Sequence, residues 1–382
     1  MRSASQMIQD VYIIGATGKV GKTLVRQIFE WGDTDAAKHL NPTRIVGLAS
    51  SSRTIYSPDG ISSKEAFSFT NRETANAGRY ENLFDILNLA KSGFKNDKSS
   101  LVFVDVTALH EPMSKFHLHV MEKTPYGIVT ANKNPIALSS YNIFQRLTHD
   151  IRRYGYRCSV MAGAQAVPFI QDLRDVNDQL RNLRGCFSGT LGYITTQLEK
   201  GIQFSEVLQE AVKRGYTEPH PRDDLSGLDV ARKLIVLART AGFSVGLNDV
   251  KLEPFIPSEY LQEDDIGAFM DSSTKLDEHF HVRMSNARSR GNTLRYVAAL
   301  EVLDGIPEAR VSLTEVPKIS PLGNLESTLN ALIVTTRTHP QDKPYLIQSQ
   351  GAGLEITAQN IRTDLLQLLR ERKNMIEKVK LY

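Results

Sequence analysis

Two domains, the first α/β and the second α+β, are predicted by three features of this sequence. The chain has 382 residues, longer than the roughly 250–300 residues at which single cores stop growing. Through residues 10–153, short apolar runs of strand character alternate with segments of helical spacing. A glycine-spaced turn joins the first such run to the first helix. Beyond that region, strand-like runs are separated by short helices, which suits an open sheet covered by helices.

The first element, Val11–Ile14, is apolar; Gly15, Gly18 and Gly21 follow, then Leu24, Val25 and Ile28 at helical spacing. Strand, glycine turn and helix form the context in which backbone approaches a pyrophosphate at a helix N-terminus. The spacing is GxxGxxG, one residue longer than the common GxGxxG. It assigns Gly15, Thr17, Gly18, Lys19, Val20 and Gly21 to a dinucleotide and makes the first domain Rossmann-type. Arg44–Ala49 is the second strand. A site for NAD carries Asp or Glu at its end, whereas this chain reads Ser50-Ser51-Ser52-Arg53. Ser51 and Arg53 suit a 2′-phosphate, because a guanidinium donates two hydrogen bonds to it. NADP(H) is preferred, with NAD(H) as the alternative.

Residues 57–98 read as a polar helical excursion, amphipathic around Leu83–Leu89. Leu101–Val106 is a buried strand ending at Thr107 and Ala108, and ligands sit at strand C-termini in such sheets. Ile128–Pro135 starts as a strand and delivers Lys133 to a strand end. A helix over Ile143–Arg153 closes the first domain. Tyr156–Met161 and the stretch from Leu183 read as strands, and both cysteines, Cys158 and Cys186, fall in such runs. Arg295–Leu303, Ala309–Pro317 and Asn330–Thr336 complete an open sheet.

Gly215–Arg239 is the most distinctive stretch. Pro219 and Pro221 stiffen a non-helical acidic loop holding Glu218, His220 and Asp224. Ser226 reads as the N-cap of a helix that Gly242 stops. Asp229 and Lys233 share one face at i, i+4, beside the buried stripe Val230, Leu234 and Leu237. The bland reading of that pair is a solvated surface contact worth a few tenths of a kcal/mol. The alternative is a seat for a small zwitterion.

Composition excludes several classes. With 41% hydrophobic and 23% charged residues, neither disorder nor a membrane protein is indicated. Net charge is +3 and basic residues are scattered, which argues against nucleic acid. There is no apolar run of about 18 residues, and Met1–Asp10 lacks a signal-peptide core. Two cysteines make no disulfide framework. A cytoplasmic protein with reduced thiols and a small-molecule substrate is expected.

The string GYTEPHPRDDLSGLDVARKLIVLAR resembles the signature segment of homoserine dehydrogenases. Thr130-Ala131-Asn132-Lys133, Gly189-Thr190, and Gly351-Ala352-Gly353 with Thr357 and Asp364 are similar to further motifs of that family. The resemblance spans the chain and is densest at residues 189–239. It implies reduction of L-aspartate 4-semialdehyde to L-homoserine, or the reverse, in threonine and methionine biosynthesis. NADPH would give a hydride to the aldehyde carbon, and the developing alkoxide would need a proton. Lys233 is the first candidate for that acid and Lys133 the second. Glu218 and Asp229, helped by Asp224, would hold the substrate ammonium; Gly189, Thr190 and Tyr216 complete its pocket. Thr107 and Ala108 would lie beside the nicotinamide, and Gly351 at the nucleotide.

The implied domains are a nucleotide-binding domain at 1–153, a substrate-binding and dimerisation domain at 154–340, and a segment at 341–382 returning to the first, with a last helix over Thr357–Leu369. A homodimer is implied, in a short form without the C-terminal ACT domain of many bacterial members. Three positions depart from the pattern: Val160 where a Glu is associated with a monovalent cation, Gly192 for Asn, and His220 for Asp. They leave the cation open and keep a second reading alive, an oxidoreductase for another amino-acid semialdehyde. A non-catalytic NADP-binding protein is the third reading, against which both lysines speak. A phosphorylating semialdehyde dehydrogenase would need a nucleophilic cysteine, which neither strand-borne thiol supplies.

Overall fold

The computed structural model describes residues 8–35, 37–38, 42–93 and 99–379. The N-terminal residues 1–7 and the end of the 57–98 excursion, residues 94–98, lie outside this set. The chain forms two compact units, one of residues up to Ser159 together with those from Gly353, the other Val160–Ala352. The expected divisions at 153 and 340 fall short of both. Tyr154–Gly155 still pairs in the first sheet, and Tyr345–Gln350 is a strand of the second.

The first unit runs β1 (Ile8–Ile14), α1 (Lys19–Glu30), β2 (Thr43–Ala49), β3 (Arg53–Tyr56), α2 (Ser63–Thr70), β4 (Gly78–Arg79), α3 (Leu83–Gly93), β5 (Ser99–Asp105), α4 (Glu111–Lys123), β6 (Gly127–Thr130), α5 (Asn134–Ala137), α6 (Tyr141–Thr148) and β7 (Tyr154–Gly155). Its sheet order is β4-β3-β2-β1-β5-β6-β7. β2, β1, β5, β6 and β7 pair in parallel, so the Rossmann-type expectation holds. β1 has parallel neighbours on both sides, β2 and β5, which puts the switch point and its crevice at its carboxyl end. The excursion is only partly helical, because β4 within it pairs with β3, the strand just before it that turns back antiparallel on β2.

The chain returns to this unit as a helix (Leu354–Val379), longer at both ends than the expected Thr357–Leu369. Ala358, Ile361 and Leu365 of that helix pack with Val11, Leu24, Ile28 and Val104 in one core. Arg157 donates to Asp364 through its main-chain N (3.0 Å) and Nε (2.7 Å). That anchor explains a correction: Tyr156–Met161 is no strand but holds a single 3₁₀ turn, Arg157–Ser159. Cys158 therefore lies on a turn. Burial pushes both thiols up, Cys158 well above its usual value and Cys186 to about 12, which removes a thiolate nucleophile.

The second unit runs α7 (Ala166–Asp175), β8 (Leu180–Cys186), α8 (Gly189–Glu199), α9 (Phe204–Lys213), α10 (Arg222–Leu225), α11 (Leu228–Thr240), β9 (Val250–Leu252), α12 (Ile266–Ser272), α13 (Asp277–Ser289), β10 (Asn292–Leu303), β11 (Ile306–Pro317), β12 (Leu329–Thr336) and β13 (Tyr345–Gln350); the helix from Leu354 is α14. Its sheet order is β13-β12-β8-β10-β11-β9. β10 and β11 pair along twelve residues each. Their tight turn places Asp304 and Gly305 at positive φ, the backbone that matches the sheet's twist. α11 carries buried residues all along its length, including Val230, Leu234 and Leu237. A helix buried to that extent is a fixed platform for the side chains at its entrance.

Candidate active site

The first unit supplies an anion cradle. Gly15 has φ 91 and donates, with Ala16, to the Ala49 carbonyl at 2.9 Å each. Gly18 caps α1 without a side chain, and the first turn of α1 holds no acidic residue. The positive end of the helix is left for a ligand's negative charge. A Cβ on Gly21 would lie 2.4 Å from the Gly15 carbonyl oxygen and 2.7 Å from Ala16 Cα. Those atoms are backbone and cannot yield without opening the turn. Gly21→Ala is expected to weaken dinucleotide binding by more than ~10-fold, since the pyrophosphate pose depends on that turn; titration of reduced-nicotinamide fluorescence measures it.

Thr107 packs on this turn: a Cβ on Gly15 would stand 3.2 Å from its Cγ2. Asn132 Nδ2 donates to Thr107 Oγ1 (3.3 Å) and to the Leu109 carbonyl (2.7 Å), and Asn134 Nδ2 donates to the Ala108 carbonyl (2.7 Å). These bonds bring the loop carrying Thr107 and Ala108 together with the loop carrying Lys133, which precedes α5.

Ser50 Oγ accepts from the Arg53 amide at 3.1 Å, which shapes the turn after β2. The side chains of Ser51 and Arg53 are left exposed. Register pairs Arg53 directly opposite Arg79, so both guanidinium groups share one face of the sheet edge. Neither makes an ion pair among the described residues. Like charges directly opposite are unfavourable unless an anion lies between them. Arg79 escaped the sequence reading because only strand register, not spacing, reveals it.

The second unit gathers the substrate candidates. Gly227, at φ 74, caps α11, and Ser226 closes α10 instead. Ser226 is thus not the N-cap; its Oγ donates to the Asp223 carbonyl at 2.7 Å. The acidic loop is also not wholly non-helical, since α10 occupies its end. Gly242, at φ 101, ends α11 as expected. Lys233 Nζ donates to the Phe187 carbonyl at 2.7 Å and pairs with Asp229 Oδ2 at 2.9 Å. Its side chain is 13% exposed. Two of three ammonium hydrogens are thereby used, and the third has no protein partner among the described residues.

Thr190 Oγ1 lies within hydrogen-bond distance of the Tyr216 carbonyl (2.6 Å) and Asp224 Oδ1 (2.9 Å). The Glu218 amide donates to Asp224 Oδ2 at 2.7 Å. Burial above all, and then the nearby Glu218 and Asp229 carboxylates, push Asp224 from 3.8 up to about 6, against the lowering effect of its hydrogen bonds. Gly189 opens α8 beside Thr190. Glu218, Asp224, Asp229, Thr190, Tyr216 and Lys233 thus converge from the end of β8 and from α8, α10, α11 and the loop before α10. Gly351 belongs to this second unit, where its carbonyl accepts from the Ala162 amide at 3.1 Å.

The departures from the family pattern have local causes. A Cβ on Gly192 would stand 2.6 Å from the Ser327 carbonyl oxygen. His220 Nδ1 accepts from the Arg222 amide at 3.3 Å, the i+2 bond that an Asp side chain makes in an Asx turn, and its ring packs edge-on against Phe269. Val160 is fully buried and offers no charged ligand. Among the described residues, no group of three His, Cys, Asp or Glu side chains is arranged for a metal. No described helix is long and apolar enough to cross a membrane.

The profile of the homoserine dehydrogenase family matches residues 168–366. A bifunctional aspartokinase/homoserine dehydrogenase from Haemophilus influenzae is 32% identical over 368 residues, 96% of this chain and 43% of that protein. Bifunctional aspartokinase/homoserine dehydrogenase 2 of Escherichia coli is 31% identical over 329 residues, 85% of this chain and 39% of that one. The chain spans less than half the length of these relatives. A Candida auris protein of unknown function has a TM-score of 0.83 at 25% identity, covering 95% of this chain and 98% of that one. A hyperthermophilic archaeal homoserine dehydrogenase solved with NADPH has a TM-score of 0.70 at 18% identity, covering 96% and 98%. At that identity the likeness is one of fold.

Proposed function

Because the chain belongs to the homoserine dehydrogenase family, we propose that it interconverts L-aspartate 4-semialdehyde and L-homoserine, with NADPH as the reductant. The observation that carries this reading is the Lys233 ammonium, held by Phe187 and Asp229 with one donor left over, beside the Glu218, Asp224 and Asp229 carboxyls. The first unit has the cradle for a dinucleotide: a side-chain-free helix entrance and a turn that a methyl at Gly21 would fill. When bound, NADPH supplies the hydride that reaches the aldehyde carbon.

Everything else falls to the chain. The spare N–H of Lys233 meets the aldehyde oxygen as negative charge develops there, and lends it the proton. Lys133 is the second candidate for that proton. Asp229 keeps the lysine side chain in place. Glu218, Asp224 and Asp229 hold the substrate ammonium, and Gly189, Thr190 and Tyr216 shape the pocket around it. Thr107, Ala108 and Lys133 line the nicotinamide end, Thr17, Lys19 and Val20 surround the phosphates, and Gly351 is assigned to the nucleotide on resemblance. Ser51, Arg53 and Arg79 receive the 2′-phosphate, which makes NADPH preferred over NADH. Gly192 sits against the Ser327 carbonyl and His220 holds the turn before α10, local roles that are compatible with the same substrate. A homodimer follows from resemblance, and sedimentation equilibrium tests it; a monovalent cation, if used, would rest on carbonyls.

The test is purified protein with L-aspartate 4-semialdehyde, followed by loss of reduced-nicotinamide absorbance. Fast NADPH consumption is expected. Tight NADPH binding without turnover would overturn the assignment. For cofactor choice, Arg53→Ala with Arg79→Ala should lower the preference for NADPH over NADH by roughly 10²–10⁴-fold, two lost charge-assisted contacts at about 1.5–3 kcal/mol each, read as the ratio of kcat/KM values.

Asp224 adds a pH signature. A carboxyl with a raised folded-state pKa binds an extra proton in the folded protein between 3.8 and about 6. Its stabilising contribution is complete below 3.8 and is lost as pH rises through about 6. The melting temperature of wild type relative to Asp224→Asn should therefore decline across that window. Substrate affinity runs the other way, since only the carboxylate attracts an ammonium: KM for the semialdehyde should rise as pH falls through about 6. A flat difference in melting temperature would remove the basis of both statements.

A further inference from the structure

The two loops at the nicotinamide end of the first unit share one buried carboxylate. Asp105, at the end of β5, is 1% exposed. Its Oδ1 accepts from the Thr107 amide at 2.8 Å, and its Oδ2 accepts from Asn132 Nδ2 at 2.9 Å. One oxygen thus serves the loop of Thr107 and Ala108, and the other serves the loop of Lys133. Behind them lies His117 of α4, wholly buried, with Nε2 3.4 Å from Asp105 Oδ2. That approach is outside hydrogen-bond geometry, so Nε2 has no hydrogen-bond partner among the described residues and faces the carboxylate as a close polar contact. His117 Nδ1 meets Tyr154 Oη at 3.0 Å, and Tyr154 of β7 is 1% exposed. Burial pushes the Tyr154 hydroxyl well above its usual range, so it keeps its proton, and the imidazole tautomer sets which of the two groups donates. In the tautomer that accepts from Tyr154, the other ring nitrogen carries its hydrogen toward Asp105.

Folding alone does not call for this arrangement. Apolar side chains of similar volume generally serve a core as well as a buried charged cluster. The cluster sits where strands deliver ligand-binding loops, and no other basic side chain bridges Asp105 among the described residues.

We propose that Asp105 is a positioning residue: backed by His117, it locks the Thr107–Ala108 loop to the Lys133 loop and so fixes the pose of the nicotinamide. This rests on the cofactor assignment made above. The phosphates are held elsewhere, on the glycine turn, so the expected effect is on pose rather than on affinity.

In Asp105→Asn, whichever way the amide turns, an NH₂ group faces the Thr107 amide or Asn132 Nδ2. NADPH affinity should change by less than ~3-fold while kcat falls ~30-fold, the scale of a sub-ångström to ångström misplacement. The kinetic isotope effect with NADPH deuterated at the transferred position should rise as hydride transfer becomes slow. His117→Phe should act in the same direction, ~5-fold, and His117→Gln, which restores an N–H, should recover most of it. If Asp105→Asn fails to fold, the His117 pair carries the same test. A lower melting temperature with unchanged kcat and isotope effect would reduce Asp105 to a structural role and overturn the proposal. The fluorescence lifetime of bound NADPH, read without substrate, should shorten in Asp105→Asn. If wild type binds NADPH and leaves the semialdehyde untouched, the functional reading fails, and that lifetime alone decides the positioning role; an unchanged lifetime then overturns it.

Discussion

Lys233→Ala should lower kcat for semialdehyde reduction by about 10²–10³-fold while leaving NADPH affinity within ~3-fold, the cost typical of removing one preorganised donor from a developing oxyanion. The argument is one of donor counting. An ammonium has three hydrogens; the Phe187 carbonyl takes one at 2.7 Å and Asp229 a second at 2.9 Å. These two contacts fix the direction of the third. A surface Asp–Lys pair would place both groups in solvent, but here the lysine side chain is only 13% exposed and the aspartate 42%. The functional reading of the pair gains from that asymmetry: the lysine is tucked against a main-chain carbonyl at the end of β8, and the aspartate faces outward where an ammonium can reach it. Single-turnover kinetics separate chemistry from binding. A variant with kcat within ~3-fold of wild type would move the acid to Lys133, since a donor to the transition state cannot be lost so cheaply.

What was legible in the sequence was local. The glycine turn was readable because its demands are local: Gly15 takes positive φ, and at Gly21 the helix is pressed against its own preceding turn. The buried face of α11 was readable from Val230, Leu234 and Leu237 because helical periodicity is a property of a short window. What was not legible depended on distant partners. Arg53–Tyr56 is four residues with a charged start, and becomes a strand only because β2 lies alongside. Arg79 acquires a meaning only from its register with Arg53. Tyr156–Met161 has the composition of a strand, but Asp364, 207 residues from Arg157, bends it into a turn. His117 is spaced with Met113, Phe116 and Val120 as one more residue of a buried helix face; its contact with Asp105 comes from the packing of α4 on the sheet. Ser226 was a fair N-cap by residue type, and was wrong because α10 ends there one residue before the cap of α11.

Gly227→Ala should destabilise the second unit by about 2–4 kcal/mol and lower its melting temperature by ~5–15 °C, combining a strained backbone with an overpacked core. The glycine is the N-cap of α11 at φ 74, a region where a Cβ costs about 1–2 kcal/mol. An added Cβ would also stand 1.9 Å from Tyr296 Oη, 2.9 Å from its Cζ and 3.1 Å from Leu252 Cδ1. Tyr296 cannot easily step aside: it is 3% exposed, and its hydroxyl donates to the Glu253 carbonyl at 2.7 Å. The two causes separate in a double-mutant cycle with Tyr296→Phe, which deletes the worst contact but not the backbone strain. If sterics dominate, Gly227→Ala costs much less in the Tyr296→Phe background; if φ dominates, the cost is the same in both. The same substitution reaches the chemistry, because Asp229 and Lys233 sit in the first two turns that Gly227 starts. Residual folded protein should bind NADPH normally and turn over slowly, since the nucleotide cradle belongs to the other unit. An alanine variant as stable and as active as wild type would mean that α11 can begin from another backbone conformation, and that the placement of its lysine does not depend on how the helix is entered.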